Sequence, residues 1–519
     1  MVYSSVSKTT AIDDEQVAVL AFLRRVGTFV PGEIAQEIDT HAASIFLAGD
    51  RAWKLKRAVC FGYLDFSTSQ LRGEALKAEL RLNQRTAPDL YLAVHRLARD
   101  PNGQLAIGGK GKTVDWLLEM RRFQDDALLD TMAKRGSLDK GMLMRLADRI
   151  SSFHIVAEIV PMVSAAERFQ SVIDGNTISM TAFPAILDPT KVAQLNARLT
   201  EATTGLAALL DARGRAGRVR HAHGDLHLAN IAVVNNMPTL FDCLEFSADL
   251  ASIDVLYDLA FLLMDLWQRG LRTEANIVFN RYLDLNREDE RGLVLLPVFL
   301  SVRATIRAHV IAAQSTRSGS DPLLIVRARQ YLDLAIEMLE TVAPRTVAIG
   351  GFSGTGKSTQ ARALGGYLGR PPGARILRSD VLRKQLAGIS IELPLPATSY
   401  SRASSVEVYD MLGRLTAAAL VCGQAVIADA VFALRDERDA IATVSAHAEI
   451  AFDGFWLEAP SALLVDRISA RGPDASDADA LVVNFQSTFE IGDLGSWRVV
   501  AAAGPADNVA ANVRLNLKL

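Results

Sequence analysis

The chain has 519 residues, of which 50% are hydrophobic and 22% charged, and a net charge of −3. At roughly 100–200 residues per domain this length points to two to four domains, and the apolar content excludes a disordered or fibrous protein. The near balance of acid and base argues against a dedicated nucleic-acid binder.

In chain order, 15–26 reads as a helix. Two short alternating runs follow, 43–47 and 52–59, joined at Gly49-Asp50, which is a hairpin signal. A long charged helix is predicted over 69–85, and further strands over 91–97 and 113–120. Between those strands lies Gly108-Gly-Lys-Gly-Lys-Thr113, which looks like a phosphate loop but has Ala106 where the first glycine belongs and no helix after it; it is read as a basic hairpin tip. Beyond about residue 125 the pattern turns largely helical, so a β-rich front precedes an α-rich back.

Within that back half, His223-Gly-Asp225-Leu-His-Leu-Ala-Asn230 is followed by an apolar run closing in Asp242. Asp225 and Asn230 have the Asp-x-x-x-x-Asn spacing of a kinase catalytic loop. Asp225 would accept the acceptor's proton, Asn230 would hold Mg²⁺, and Asp242 would be the second metal ligand. Singly, Asp and Asn are ordinary turn residues, and it is the grouping of all three that points to phosphoryl transfer. His223 and His227 lack a further nearby Cys or His, so zinc is not expected there.

This half resembles the aminoglycoside-phosphotransferase-like family, a branch of the protein-kinase fold, over roughly 30–310. The resemblance implies a bilobal domain and a strand lysine paired with a helix glutamate. Lys54 and Lys56 alternate on one strand and point to one face, so either is a candidate for the phosphates, with Glu79 as the partner. It further implies that Asp254 and Asp258 brace the catalytic loop and that 114–123 is the hinge carrying adenine. The chain departs from the protein-kinase pattern in having no GxGxxG over the phosphates.

A helix over 321–342 ends at Pro344, and an apolar strand starts at Thr346, which puts a domain junction near 341–345 and divides the chain into 1–340 and 341–519. Beyond it, strand-like runs at 346–349, 374–377, 425–428 and 450–457 alternate with helical stretches, as βαβ units around a parallel sheet do. The fold class expected is thus α+β followed by α/β: a kinase-like domain, then a P-loop domain with a parallel sheet flanked by helices.

The first of those strands runs into Gly351-Phe352-Ser353-Gly354-Thr355-Gly356-Lys357-Ser358-Thr359, which fits GxxxxGK[ST] in a strand–loop–helix context. Glycines let consecutive N–H groups turn toward a phosphate chain, Lys357 reaches the β/γ-phosphates, and the Ser358 hydroxyl holds Mg²⁺. Asp380, just past the second strand, would receive the acceptor's proton or else cap a helix. Asp429, closing the third strand, would sit near the metal. Arg467 and Arg471 are four apart; on a helix they share a face and, turned to the phosphates, would neutralise the transferring group.

These pieces resemble small P-loop kinases of the polynucleotide-kinase-like and zeta-toxin-like group, over about 341–500. The resemblance implies a phosphoryl transferase with an arginine-bearing lid, and an acceptor-activating role for Asp380. The whole chain reads as an ATP- and Mg²⁺-dependent phosphotransferase acting on a small-molecule hydroxyl, with two nucleotide sites. The alternatives are a regulatory protein whose N-terminal half is degenerate, and a polynucleotide 5′-hydroxyl kinase. Cys60, Cys243 and Cys422 form no CxxC pair, the start carries no secretory segment, and the apolar stretches 255–267 and 294–302 are short for a bilayer. A cytoplasmic setting without membrane is therefore expected, and the oligomeric state stays open.

Overall fold

A computed structural model describes residues 14–518, apart from 41, 62, 63, 246, 471 and 473. By packing the chain falls into two units, one of Met1–Gly175 and Ala207–Phe261, the other of Asn176–Leu206 and Leu262–Leu519. This packing boundary differs from the motif boundary near 341–345: the helices from 262 onward belong to the same unit as the P-loop sheet.

The first unit opens on a six-stranded antiparallel sheet, in the order Gln36–Asp39, Ala43–Ala48, Arg51–Lys56, Lys112–Arg121, Tyr91–Arg99, Leu105–Ile107. Ala48 pairs with Arg51, so Gly49 and Asp50 form a two-residue turn, and Gly49 takes the positive φ of 53° that such turns require. Phe46, Leu55, Leu97 and Leu117 pack against Val19 and Leu23 of the helix Asp14–Leu23. Leu90, Tyr91 and Leu118 pack against Leu76 of the helix Ser69–Asn83. That helix is started by the Thr68 hydroxyl, which accepts from the Leu71 N–H, and it lies so close to the sheet that a Cβ on Gly73 would sit 2.4 Å from Trp116 Nε1. These contacts put the outward side chains of Arg51–Lys56 against the same helix that carries Glu79.

The strands read on either side of the glycine-rich segment, 91–97 and 113–120, do pair, but 108–111 is not the tip between them: the short strand Leu105–Ile107 intervenes, and 108–111 leads from it to Lys112–Arg121 past the end of Tyr91–Arg99. It crosses the end of that strand so closely that a Cβ on Gly111 would lie 2.2 Å from the Arg99 carbonyl oxygen. Of the residues named as the hinge, those through Arg121 are sheet, at the centre of the ladder, and only Arg122 and Phe123 lie beyond the strand. Alternation marked a strand there, and the strand's length absorbed the segment.

Apart from a short ladder of Cys60–Phe61 with Leu64–Asp65, the rest of the first unit is helical, with two small ladders that carry the candidate loop. Val219–His221 pairs with Ser252–Asp254, and Ile231–Val234 pairs with Met237–Leu240.

The second unit is built on a fully parallel five-stranded sheet, in the order Arg375–Arg378, Val426–Asp429, Thr346–Gly351, Phe452–Glu458, Arg498–Ala501. Four of these strands lie on the expected runs; the edge strand Arg498–Ala501 was not read from the sequence. Ala361 and Leu364 of the helix Lys357–Gly365, with Val509, Val513 and Leu517 of the C-terminal helix, cover one face over Val347, Ile349 and Ile427. The helix Pro322–Glu337, on the run expected as a helix over 321–342, begins at the Asp321 cap with proline in its first turn and ends short of the expected boundary. One helical run, Arg287–Arg317, is long and apolar enough to cross a membrane by length and composition, yet 67% of its apolar window is buried within the protein.

The other sheet edge is closed by a helix. Asn280, on Arg272–Leu285, accepts from the Ile376 N–H (2.7 Å) and donates to the Ala374 carbonyl (3.0 Å), doing for the open edge what a neighbouring strand would do. Asn276 donates to the Pro372 and Ala374 carbonyls. Arg375, at the start of that strand, is buried and meets Asp284 (2.8 Å) and Glu290 (2.8 Å). Burial disfavours its charge, but the two carboxylates outweigh burial and hold the guanidinium above its ordinary range. Replacing Arg375 by Met leaves two carboxylates facing a desolvated gap. Truncating one partner of a buried pair costs about 3–5 kcal/mol, so thermal unfolding of Arg375→Met should show the transition of this unit lowered by many degrees, and an unchanged midpoint would refute the assignment.

Candidate active sites

The phosphate loop of the second unit runs between the central strand Thr346–Gly351 and the helix Lys357–Gly365. Its glycines answer to different demands. A Cβ on Gly351 (φ 136°) would sit 2.6 Å from the Leu457 carbonyl oxygen, and one on Gly354 (φ 85°) 2.7 Å from that of Leu464. Those two are required by packing against the protein. Gly356 (φ 93°) meets nothing within 4 Å, so it is required by its left-handed backbone and faces open space. As the residue that caps the helix, it sets the first N–H groups toward that space. Lys357 Nζ donates to the Phe352 carbonyl (3.0 Å), as does the Thr355 hydroxyl (2.8 Å). The Ser353 N–H donates to Gln486 Oε1 (2.7 Å), which ties the loop to the helix Ala480–Gln486. Gln486, which ends the helix Ala480–Gln486, carries no motif and was not foreseen. Ser358 and Thr359 lie in the first helical turn, Thr359 exposed.

Two carboxylates flank this loop. Asp429 closes the strand beside the loop strand, paired with Ile349 on one side and Arg378 on the other. It is buried, and its Oδ2 accepts no hydrogen bond among the described residues while lying 3.5 Å from Arg378 Nε. Asp380 stands in the first turn of the helix Ser379–Leu386, whose cap residue is Arg378 without any side-chain cap. Asp380 is therefore not the helix cap. Burial raises its carboxyl above the ordinary range, against the lowering pull of Arg378 and Lys357 and with a further raise from Asp429.

Arg378 also grips Asp474, and Lys384 pairs with Asp477 (2.9 Å), whose other oxygen accepts from the Leu395 N–H and the Tyr400 hydroxyl. These ties hold 474–477 beside Asp380. The signal for Arg378 was its place two residues ahead of Asp380 at a strand end. For metal, the Ser358 hydroxyl and the Asp429 oxygen, which accepts no hydrogen bond but faces Arg378, are hard oxygen donors of the kind Mg²⁺ takes, directly or through water.

Of the two arginines, Arg467 lies on the helix Ser461–Ser469, and Arg471 lies outside the described residues. Arg467 donates to the carbonyls of Ala502, Ala503 and Gly504, pinning the turn after the edge strand, and not toward the phosphate loop.

In the first unit, the loop 222–230 is held by Asp258. This buried carboxylate accepts from the His223 N–H (3.1 Å), the Gly224 N–H (2.9 Å) and His154 Nε2 (3.1 Å). Asp254, named as a second brace, instead forms a two-pronged pair with Arg213, both bonds 2.7 Å, and caps the following helix at the Leu256 N–H. Asn230 Nδ2 donates to the Asp225 carbonyl (3.0 Å) and carboxylate (2.9 Å), which turns its amide oxygen away from Asp225. His227 Nε2 lies 3.4 Å from the same carboxylate.

Asp242 adopts a left-handed backbone (φ 60°), with its N–H on the Tyr91 hydroxyl (3.1 Å). The next N–H, of Cys243, donates to Asn83 Oδ1 (2.9 Å). Lys54 Nζ bridges Glu79 (2.6 Å) and Asp242 (2.9 Å). Lys56 Nζ also meets Glu79 (2.7 Å), on its other oxygen, and pairs with Glu245. Burial would raise the Asp242 carboxyl, but Lys54 outweighs it and holds the group below its ordinary value, hence ionised. Asp242 and the Asn230 amide oxygen suit Mg²⁺ as oxygen donors. Glu245 was not foreseen; its signal was an acid three residues beyond the metal-ligand candidate.

Two family models match the chain: that of the AAA domain over 347–489 and that of the phosphotransferase enzyme family over 180–293. The uncharacterized proteins Rv2004c of Mycobacterium tuberculosis and Mb2027c of Mycobacterium bovis are each 29% identical over 477 residues, covering 90% of this chain and 92% of theirs. Among solved structures, a gluconokinase from Sinorhizobium meliloti is similar at 19% identity and a TM-score of 0.25, over 34% of this chain and 96% of that one. A choline/ethanolamine kinase family protein from Mesorhizobium loti is similar at 12% identity and a TM-score of 0.36, over 62% and 99%. The chain joins a phosphotransferase-family domain to a P-loop kinase domain, and is an enzyme of the kinase class.

Proposed function

We propose that the protein transfers the γ-phosphoryl group of ATP to a hydroxyl of a small molecule at its P-loop site, and that the kinase-like unit holds a second ATP site. The observation that carries the first reading is the convergence, at the ends of the neighbouring strands Thr346–Gly351 and Val426–Asp429, of a glycine loop, a lysine and two carboxylates, Asp380 and the buried Asp429. In this reading the loop amides and Lys357 exchange their internal acceptors for phosphate oxygens. Ser358 and Asp429 hold Mg²⁺, which when bound offsets charge on the β- and γ-phosphates. Asp380 orients the acceptor hydroxyl and takes its proton as the new O–P bond forms and the bond to ADP breaks. Catalysis is then mainly positioning and charge neutralisation. Arg378 keeps Asp429 and the 474–477 segment in place around the acceptor. Supply of ATP and three unpaired cysteines suit a cytoplasmic setting.

In the second site, Asp225 is the candidate base, Asn230 and Asp242 the metal ligands, and Lys54 with Glu79 the phosphate clamp. ADP release by Lys357→Ala and by Asp225→Asn, each with a metabolite extract screened by mass spectrometry for phosphorylated products, separates the sites. Each variant should lose one product, and the double variant all of them. If Lys357→Ala retains every product, the P-loop reading fails, and if Asp225→Asn changes nothing, the first unit is regulatory.

The raised carboxyl of Asp380 gives a pH test. A base works ionised, so turnover at the P-loop site falls as pH drops through that group's pKa. In the Asp225→Asn chain, the acid limb of kcat should lie above the ordinary aspartate value of about 4, and Asp380→Asn should lower kcat by about 10²–10⁴-fold. An acid limb at or below the ordinary value would remove Asp380 from the role.

A further inference from the structure

The two lysines on the strand Arg51–Lys56 do different work. Both reach the carboxylate of Glu79, one on each oxygen. Lys54 then continues outward to Asp242, whose side chain is 41% exposed, while Lys56, 3% exposed, continues inward to Glu245. The result is one chain of charges, Asp242–Lys54–Glu79–Lys56–Glu245, that leaves the segment 242–245 at Asp242 and returns to it at Glu245. Both ends of that segment are thereby tied through a single residue, Glu79, to the helix Ser69–Asn83. The same helix supplies Asn83 to the Cys243 N–H, and Tyr91 receives the Asp242 N–H. Four contacts thus fix four consecutive residues whose first member sits in the left-handed region, a conformation that a non-glycine residue holds only when its surroundings impose it.

We propose that Lys56 and Glu245 form a second lysine–glutamate pair that positions Asp242 for its metal, while Lys54 alone faces the nucleotide phosphates. This rests on the reading of the first unit as a nucleotide site and deepens it. The chain of five groups holds two ammonium groups against three carboxylates, so it carries one negative charge in excess, and Asp242 is the most exposed of the three carboxylates. A divalent cation there meets an already oriented ligand, and Lys56 is the group that keeps Glu245, and with it the turn, from swinging out. Lys56 is a positioning residue: it acts through the segment and touches neither phosphate nor metal.

The test uses the full chain with Lys357→Ala, so that nucleotide and metal at the P-loop site do not contribute. Binding of ATP alone is followed by calorimetry, and binding of Mn²⁺ in the presence of ATP by electron paramagnetic resonance. Lys54→Met should weaken ATP binding with or without metal. Lys56→Met and Glu245→Gln should each weaken Mn²⁺ by about 10–100-fold, the range for losing a residue that orients a metal ligand, with a clearly smaller effect on ATP alone. The double variant should lose no more than either single one, since the pair acts as a unit. Lys56→Arg, which keeps the charge and can span both carboxylates, should recover most of the metal affinity. Thermal unfolding of each variant shows whether it is folded, and Glu245→Gln, the most conservative in shape, carries the test if Lys56→Met is not. The proposal is overturned if Lys56→Met weakens metal-free ATP as Lys54→Met does, if the two losses add, or if Mn²⁺ affinity is unmoved in Glu245→Gln. Should the Lys357→Ala chain with Lys56 and Glu245 intact bind no ATP at all, it is the nucleotide-site reading itself that falls.

Discussion

A charge taken out of water must be met by an opposite charge at close range, and both units are organised by that requirement. Arg375 meets Asp284 and Glu290, Arg378 meets Asp429 and Asp474, and Lys54 and Lys56 meet three carboxylates. A buried pair adds little net stability relative to apolar packing, but breaking one costs several kcal/mol. Such pairs therefore fix geometry more than they strengthen the fold. Each of these cations holds a carboxylate, or the segment bearing one, beside a candidate reaction centre or at a sheet edge that supports one. Asp258 works with the opposite sign, a buried anion satisfied by two N–H groups and an imidazole that shape the loop before Asp225.

What could be read from the sequence was what short-range backbone rules determine. The phosphate loop was legible because three glycines at fixed spacing correspond to three positive φ values, and the hairpin at Gly49-Asp50 because its turn type needs one. The alternating lysines were legible because a strand's period is two, but the choice between them was not, since it depends on Asp242 and Glu245, nearly two hundred residues away. The illegible parts share that cause. The strand Arg498–Ala501 is four residues long and largely exposed, with one buried side chain, so it lacks the alternation of a longer strand. Arg467 grips the carbonyls of Ala502, Ala503 and Gly504, partners far along the chain that no helical spacing announces. The segment 108–111 has the composition of a tight turn but spans the end of a strand that pairs with both of its neighbours.

Motif and packing draw different lines through this chain. The phosphotransferase model matches 180–293, a stretch that contributes to both packing units, and the helix Arg272–Leu285 in it closes the open edge of the P-loop sheet. Gly365, Gly366 and Gly373 let the chain come this close: a Cβ on Gly366 would stand 2.5 Å from the Arg272 carbonyl oxygen. An edge strand with unpaired N–H and C=O groups invites pairing with other chains. Here a side-chain amide from a helix occupies those groups, so the strand that leads to Arg378 and Asp380 is anchored from outside the sheet.

The Gln486 oxygen on the Ser353 N–H has a consequence for how a nucleotide arrives. An amide held by an internal acceptor does not wander, so this bond fixes the curvature of the loop at Ser353. Any anion that took this N–H would compete with that acceptor. A neutral hydrogen bond of about 0.5–1.5 kcal/mol corresponds to roughly a two- to tenfold weaker apparent affinity. Because Gln486 ends the helix Ala480–Gln486, this one bond ties the loop to a helix terminus more than a hundred residues further along the chain, and any group that took the Ser353 N–H would free that terminus.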